Sequence, residues 1–547
     1  MRRPYSGPEA ATATATATAS CRRRLRAFKR WMRSQGIECS DTLGLRVEEV
    51  EGNGIRVIAL SDLQEGDAVV RIPKKCCLTI KTSGARSLIE SAGLDGTLGL
   101  CVALMFEKSL GHRSPWFPYL HLLPAAQSIP LLWTLDQLNS LLLGTELHKI
   151  VKEDKALIYE DWQECILPLL DSAPLTIYEE LNPDFFSVEE YFAAKSLVAS
   201  RSFEIDDYHG FGMVPLADLF NHKTGAEDLH LTSIFLPLVH VSDAEDNLKR
   251  DEYEMTDDVE ENHGLDEYNN SLDAEQLTQK SQLRQGSCGN KWECSSTSED
   301  EPTVLEMIMV KDVKCGAEVF NTYGTLGNAA LLHRYGFTEA DNPYDIVNMD
   351  LELVLEWSSS LYSSRHSRRR LALWRRLDYS GCVSQNSEYF EISGNGEPQV
   401  ELLILLYIIS LPDEPFDQLD LTVSSTEENL NEWLSIILEK GGYIQRETAA
   451  EMSKDLLLTR SVCDALLSLA NIRESFFGSN SLEDDMEALN KCCCIKEREL
   501  YYSLILRISE RRILEKLRIY AAESAQLSAT GQSKRASTMR KKMKTRR

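Results

Sequence analysis

The chain has 547 residues, 43% of them hydrophobic and 26% charged, and a formal net charge of −26. That length exceeds one simple core and predicts two or three domains of ordinary globular composition. The acidic balance argues against a nucleic-acid binder. The longest apolar run, "LLILLYIISL" at 402–411, is too short to cross a bilayer and predicts a core helix. The 14 cysteines follow no framework spacing, with adjacent runs at 76–77 and 492–494. Free thiols in a reducing compartment are the expectation.

Residues 1–22 begin in low complexity, with "ATATATATAS" at 11–20, and read as a disordered tail. The stretch is rich in arginine and Glu9 is its acid, so a plastid or mitochondrial address is an alternative to an untargeted tail. "RLRAFKRWMRSQG" then reads as a basic amphipathic helix stopped by Gly36. The alternating "IRVIAL" and "AVVRIP" segments predict a small sheet, with turns at 52–54 and 65–66. From about 98 to 197 the spacing is helical, broken by the Pro-punctuated aromatic loop "SPWFPYLHLLP".

Strand character returns at "LTSIFLPLVHV" and again at "TVLEMIMV". Between them, residues 241–301 carry 18 acidic and 5 basic residues, a net of −13 and half of the chain's total. The stretch reads as a disordered acidic loop, a long excursion between two paired strands. Beyond Asn342-Pro343 the pattern is helical to about 528, with a capping box "STEE" at 425–428 ahead of "NLNEWLSIILEKG" and a basic tail at the end.

Four patches could carry chemistry. "EGNG" at 51–54 is a hairpin signal whose glycines also admit close approach of a ligand. "SRSF" at 200–203 ends a helix, where an arginine is ordinarily a surface charge. "VPLADLFNH" at 214–222 is an apolar run, read as a buried strand, that stops on two polar side chains. "NTYGTLGNAALLHRYGF" at 321–337 holds two Tyr-Gly pairs twelve residues apart around a short helix.

In this order, the patches resemble the SET-domain protein methyltransferases of the Rubisco large-subunit lysine methyltransferase type, over about residues 24–520. The resemblance implies an α+β fold: a SET-domain β core with an inserted helical subdomain, followed by an all-α C-terminal domain. The divisions are a tail to 22, the first SET part at 23–97, the helical insertion at 98–199 and the second SET part at 200–338 with its acidic loop at 241–302. A helical substrate-binding-like domain at 339–528 and a disordered basic tail at 529–547 follow. The SET core is expected to thread its C-terminal motif through a knot-like loop.

The resemblance also implies S-adenosylmethionine as cofactor and a protein lysine side chain as substrate. Glu51, Gly52 and Asn53 would lie against the cofactor, Arg201 would pair with its carboxylate, and Asn221 and His222 would hold its methionine and adenine parts. Phe337 would pack near it. Tyr323 would be the catalytic tyrosine, with Tyr335 and Asp218 at the lysine channel. Arg201 lies twenty residues before Asn221, as the family pattern expects. One channel tyrosine of the family, about a dozen residues after the Asn-His pair, has no counterpart; His230 or Leu231 stands there. No zinc motif follows the core, and no metal is expected. The expectations are a monomer acting on a non-histone protein, ribosomal or other, in cytoplasm or nucleus, without membrane or nucleic acid. The competing readings are a histidine methyltransferase and a non-catalytic SET-derived binding module. A third, nucleic-acid binding through "SRHSRRRLALWRR" and the basic tail, is disfavoured by the shortness of those runs.

Overall fold

The computed structural model describes residues 8–47, 54–172, 182–234, 304–376, 389–425, 457–494 and 496–544. Glu51, Gly52 and Asn53, the acidic stretch at 241–302 and the capping-box segment after 425 lie outside the described residues. The chain divides into two compact units. The first holds Met1–Arg86, Pro118–Leu122 and Ser202–Gly324; the second holds Ser87–Phe117, Leu123–Arg201 and Thr325–Arg547.

The first unit opens on α1, Pro8–Gln35. The helix thus starts well before the basic amphipathic stretch and takes in the whole Ala-Thr run, where alanine sustains a helix once it is nucleated. Cys21, Leu25, Phe28, Trp31 and Met32 form its buried face. It ends where expected. Gly36 adopts φ +76, and the Gly36 and Ile37 amides donate to the Arg33 and Met32 carbonyls at 3.3 and 2.9 Å, a Schellman closure.

Among the described residues of this unit follow nine strands: β1 (Glu38–Cys39), β2 (Leu43–Val47), β3 (Ile55–Ala59), β4 (Ala68–Pro73), β5 (Leu78–Thr79), β6 (Ser202–Asp206), β7 (Gly210–Met213), β8 (Leu229–Ile234) and β9 (Val304–Met309). They form an antiparallel four-stranded sheet in the order β1-β4-β9-β8, a three-stranded sheet β5-β7-β6 and the hairpin β2-β3. β8 and β9 pair in register from Leu229↔Met309 to Ile234↔Val304. The acidic stretch therefore joins two neighbouring strands, as its flanks predict.

The β6–β7 turn is set by Asp206. Its carboxylate accepts from the His209 amide at 2.7 Å and from His209 Nδ1 at 2.9 Å. It also accepts from the ammonium of Lys74, which is 3% exposed. Burial pushes the Asp206 carboxyl upward, but the bonds from Lys74 and His209 outweigh it and hold its pKa down at about 2.

The second unit is mainly helical. α2 (Gly96–Ser109) is apolar nearly all round and is buried from Gly99 to Glu107, as expected of a helix with neighbours on every side. It packs on α4 (Val188–Arg201), and α3 (Glu146–Asp161) lies between them in sequence. Then come α5 (Asn328–Tyr335), β10 (Val347–Asp350), α6 (Leu351–Leu361), α7 (Ser364–Arg376), β11 (Tyr389–Ile392), α8 (Val400–Ser410), α9 (Arg460–Ser475), α10 (Leu482–Lys491) and α11 (Arg498–Lys544). α8 contains the "LLILLYIIS" run and forms the heart of this unit's core with α6, α9 and α11.

α11 continues past 528, and its buried face carries charge. Arg507 and Arg511 hold Asp485 at 3.1 and 2.8 Å, and Arg473 holds Glu510 at 3.2 Å. The three guanidiniums each lie 5.4 Å from the Phe477 ring centroid. No helix among the described residues is long and apolar enough to cross a membrane.

Candidate active site

In the first unit, residues 212–220 are buried. The sequence reading as a strand is corrected here. β7 stops at Met213, and Ala217–Leu219 is a 3-10 turn closed by Leu219→Leu216 and Phe220→Ala217 amide bonds of 3.1 and 3.3 Å. Apolar runs of this length do not distinguish a strand from a buried turn. Leu216 enters the turn at φ +80, a conformation rare for a side chain of its size and typical of functional segments under constraint.

The turn delivers Asn221 and His222 to the segment Gly316–Tyr323. That segment bonds β3 on one side, through Gly316→Ala59 at 2.8 Å and Val319→Val57 at 2.9 Å. On the other side the Asn321 amide donates to the Asn221 carbonyl at 2.9 Å. The C-terminal motif thus runs between two earlier pieces of chain. The Asn221 side chain is exposed and donates to Glu318 Oε1 at 2.7 Å.

Tyr323 clasps this segment at two points. Its amide donates to His222 Nδ1 at 3.1 Å and its hydroxyl donates to the Phe220 carbonyl at 3.1 Å. The two rings stack with centroids 5.0 Å apart and 18° between planes. With Nδ1 accepting, the His222 proton sits on Nε2, which lies 3.3 Å from Thr224 Oγ1. Asp218 is 7% exposed and accepts from the Tyr119 hydroxyl at 3.0 Å. Tyr119 is itself fully buried, stacked on Trp31 of α1. Sequence reasoning missed Tyr119; its signal was the aromatic loop "SPWFPYLHLLP".

In the second unit, Arg201 is the last residue of α4. Its Nη2 donates to Gln127 Oε1 at 3.4 Å, while Gln127 Nε2 donates to the Tyr335 carbonyl at 3.1 Å. The Gln127 amide is tied to Ser196 Oγ at 3.0 Å. One glutamine therefore links two residues singled out from sequence. It lies in a loop with no pattern to mark it.

Tyr335 closes α5, and Gly336 caps it in the left-handed region. Burial pushes the Tyr335 phenol pKa up, so it stays neutral. Phe337 follows, half-buried, with its ring 6.4 Å from that of Tyr335. Asn328, at the start of α5 and 0% exposed, staples the motif: Nδ2 donates to the Glu339 carbonyl at 2.9 Å and Oδ1 accepts from the Glu339 amide at 2.7 Å.

Gly336 has two reasons to be glycine. Its φ is +79, and a Cβ there would lie 2.1 Å from the Ser128 carbonyl oxygen. Gly336→Ala is therefore expected to destabilise the protein by about 2–4 kcal/mol, from a disfavoured backbone and a clash with main chain. A urea-denaturation midpoint equal to wild type would contradict this.

The described structure thus brings Asp218, Asn221, His222 and Tyr323 together in one unit, and Arg201, Tyr335 and Phe337 in the other. At the position of the missing channel tyrosine, His230 is exposed and paired with Glu227 at 3.3 Å, and Leu231 is half-buried.

No family model matches the chain. Ribosomal lysine N-methyltransferase 3 of Saccharomyces cerevisiae is 26% identical over 342 residues, which cover 55% of this chain and 60% of the yeast protein. N-lysine methyltransferase SETD6 of Bos taurus is 24% identical over 411 residues, covering 71% and 74%. Among solved structures, the SET domain of LSMT bound to lysine and AdoHcy superposes with a TM-score of 0.59 at 19% identity, covering 91% of each chain. Rubisco LSMT bound to AdoMet gives 0.58 at 17%, covering 92% of each. The chain has the SET-domain fold seen in these structures. The helices Gly96–Ser109, Glu146–Asp161 and Val188–Arg201 and those from Leu351–Leu361 onward belong to the second unit.

Proposed function

We propose that this SET-fold chain is an S-adenosylmethionine-dependent protein-lysine N-methyltransferase acting on a non-histone protein, with ribosomal proteins as the first class to test. The observation that carries the reading is the Tyr323 clasp. A phenol whose proton is directed to the Phe220 carbonyl presents its oxygen lone pairs in a fixed direction. Such an acceptor suits the hydrogens of an amine that must be oriented for attack. The names of the yeast and bovine relatives support the activity and its substrate class. AdoMet and AdoHcy in the structural neighbours support the cofactor.

The residues present fit that cofactor in donor chemistry. Arg201 offers the planar fork that matches a carboxylate, and Gln127 Oε1 steadies it from the side. His222, held in one tautomer, and Asn221 are assigned to the methionine and adenine parts, and Phe337 to apolar packing. Glu51, Gly52 and Asn53 are assigned to it through their backbone. S-adenosylmethionine, when bound, supplies a methyl group on a sulfonium for in-line transfer.

The protein's own part is to orient a neutral amine and keep water away. Tyr323 is the catalytic residue in this reading. The neutral Tyr335 phenol walls the lysine channel without adding charge, and desolvation there disfavours the ammonium form of the substrate. Asp218 belongs to the lysine-binding set, and Tyr119 fixes its rotamer. The helices of 339–528 are assigned to recognition of the protein substrate, in the cytoplasm or nucleus.

Calorimetric titration with S-adenosylmethionine tests the cofactor assignment. Wild type is expected to bind, and Arg201→Ala to bind at least about tenfold more weakly, since a hydrogen bond to a charged group is worth about 1.5–3 kcal/mol. Equal affinities would break the carboxylate assignment. Absence of binding by wild type would overturn the reading.

A further inference from the structure

The chain's acidity hides a strongly basic face. Between Cys21 and Gln35, α1 carries seven cations and no acid. At 3.6 residues per turn, Arg22, Arg23, Arg26, Lys29, Arg30 and Arg33 fall within an arc of about 120°, and the row runs about 17 Å along the axis. The five arginines among them are exposed. The seventh cation, Arg24, lies off this arc and donates to the His121 carbonyl at 3.1 Å. The opposite face is the buried set from Cys21 to Met32, so the helix is locked with its cations outward.

We propose that the arginine face of α1 is a docking surface for the phosphate backbone of RNA. A basic stripe along one helix face is the electrostatic footprint of such binding. Five of the six cations are arginine, whose fork grips phosphate oxygens bidentately. A protein partner normally anchors through a desolvated aromatic or aliphatic side chain. The exposed face between residues 19 and 35 offers no apolar side chain larger than alanine. A strand with one phosphate every ~3.4 Å of rise places about five charges along the stripe. The choice of RNA over DNA rests on the proposed ribosomal substrate; the choice of phosphate does not.

The test is fluorescence anisotropy of the full chain with a labelled 20-nucleotide oligouridine from 50 to 300 mM KCl, with oligothymidine and polyglutamate as comparison probes. Wild type is expected to bind oligouridine with a salt slope of about −3 to −4, from five arginines at ~0.7 each. Changing Arg22, Arg23, Arg26, Arg30 and Arg33 together to Gln should weaken binding at least tenfold and flatten the slope, with the thermal unfolding curve unchanged. No binding at 50 mM KCl, or equal binding by the variant, overturns the proposal. Tighter binding of polyglutamate reassigns the face to an acidic protein, and tighter binding of oligothymidine reassigns it to DNA; either overturns the choice of RNA. The assay involves no methyl transfer, so its failure leaves the methyltransferase reading standing.

Discussion

Tyr323→Phe is expected to lower the methyl-transfer rate by about 10²-fold or more while leaving cofactor affinity near wild type. The substitution removes one oxygen and keeps the ring. Stacking on His222 and the amide bond to His222 Nδ1 are retained, so the threaded segment keeps its path. What disappears is the oriented acceptor whose proton is bonded to the Phe220 carbonyl. Deleting one preorganised polar group at a reacting centre typically costs about 10²–10³ in kcat. Single-turnover kinetics with saturating cofactor measures the effect. A rate within threefold of wild type would remove Tyr323 from the catalytic role.

Asp206→Asn is expected to be the most damaging polar substitution in the first unit, lowering stability at pH 7 by about 3 kcal/mol. Lys74 is nearly fully buried and its ammonium is held by this carboxylate. Removing the charge leaves a buried cation without compensation, the circumstance in which breaking a buried pair costs about 3–5 kcal/mol. Asp206 is itself partly exposed, which places the estimate at the lower end.

The pH dependence follows from the sign of the shift. The folded-state pKa of Asp206 is lowered from 3.8 to about 2. Its stabilisation is therefore fully present above about pH 4 and is lost as pH falls toward 2. Urea denaturation of both proteins should show a wide gap at pH 7 that narrows below pH 4. Equal midpoints at pH 7 would contradict the assignment.

Much of the β core was legible because its signals are local. Gly36 stops α1 by the left-handed conformation that glycine tolerates. The alternation in "VLEMIMV" carried β9, and its pairing with β8 followed from the polarity of what separates them. The short helix before Tyr335-Gly336 also stood where its spacing placed it.

What escaped is non-local. Gln127 and Tyr119 act through partners 208 and 99 residues away, Tyr335 and Asp218, and neither periodicity nor turn chemistry reports such links. The apolar run before Asn221 was misread as a strand because its burial, not its hydrogen bonding, is written in its composition. Arg507, Glu510 and Arg511 are charged residues in a helix, yet they are buried because opposite charges on neighbouring helices satisfy them. The alanine-threonine run before Cys21 has no apolar stripe, yet it continues the helix nucleated beyond it.

The most direct test of the central claim is transfer of labelled methyl from S-adenosylmethionine into the proteins of a native extract, with wild type and Tyr323→Phe side by side. The expected result is a discrete labelled protein, lost in the variant, with mass spectrometry placing the added methyl on a lysine Nζ. A label on histidine would replace the substrate residue, and a wild-type protein that transfers no label and binds no cofactor would contradict the enzymatic reading.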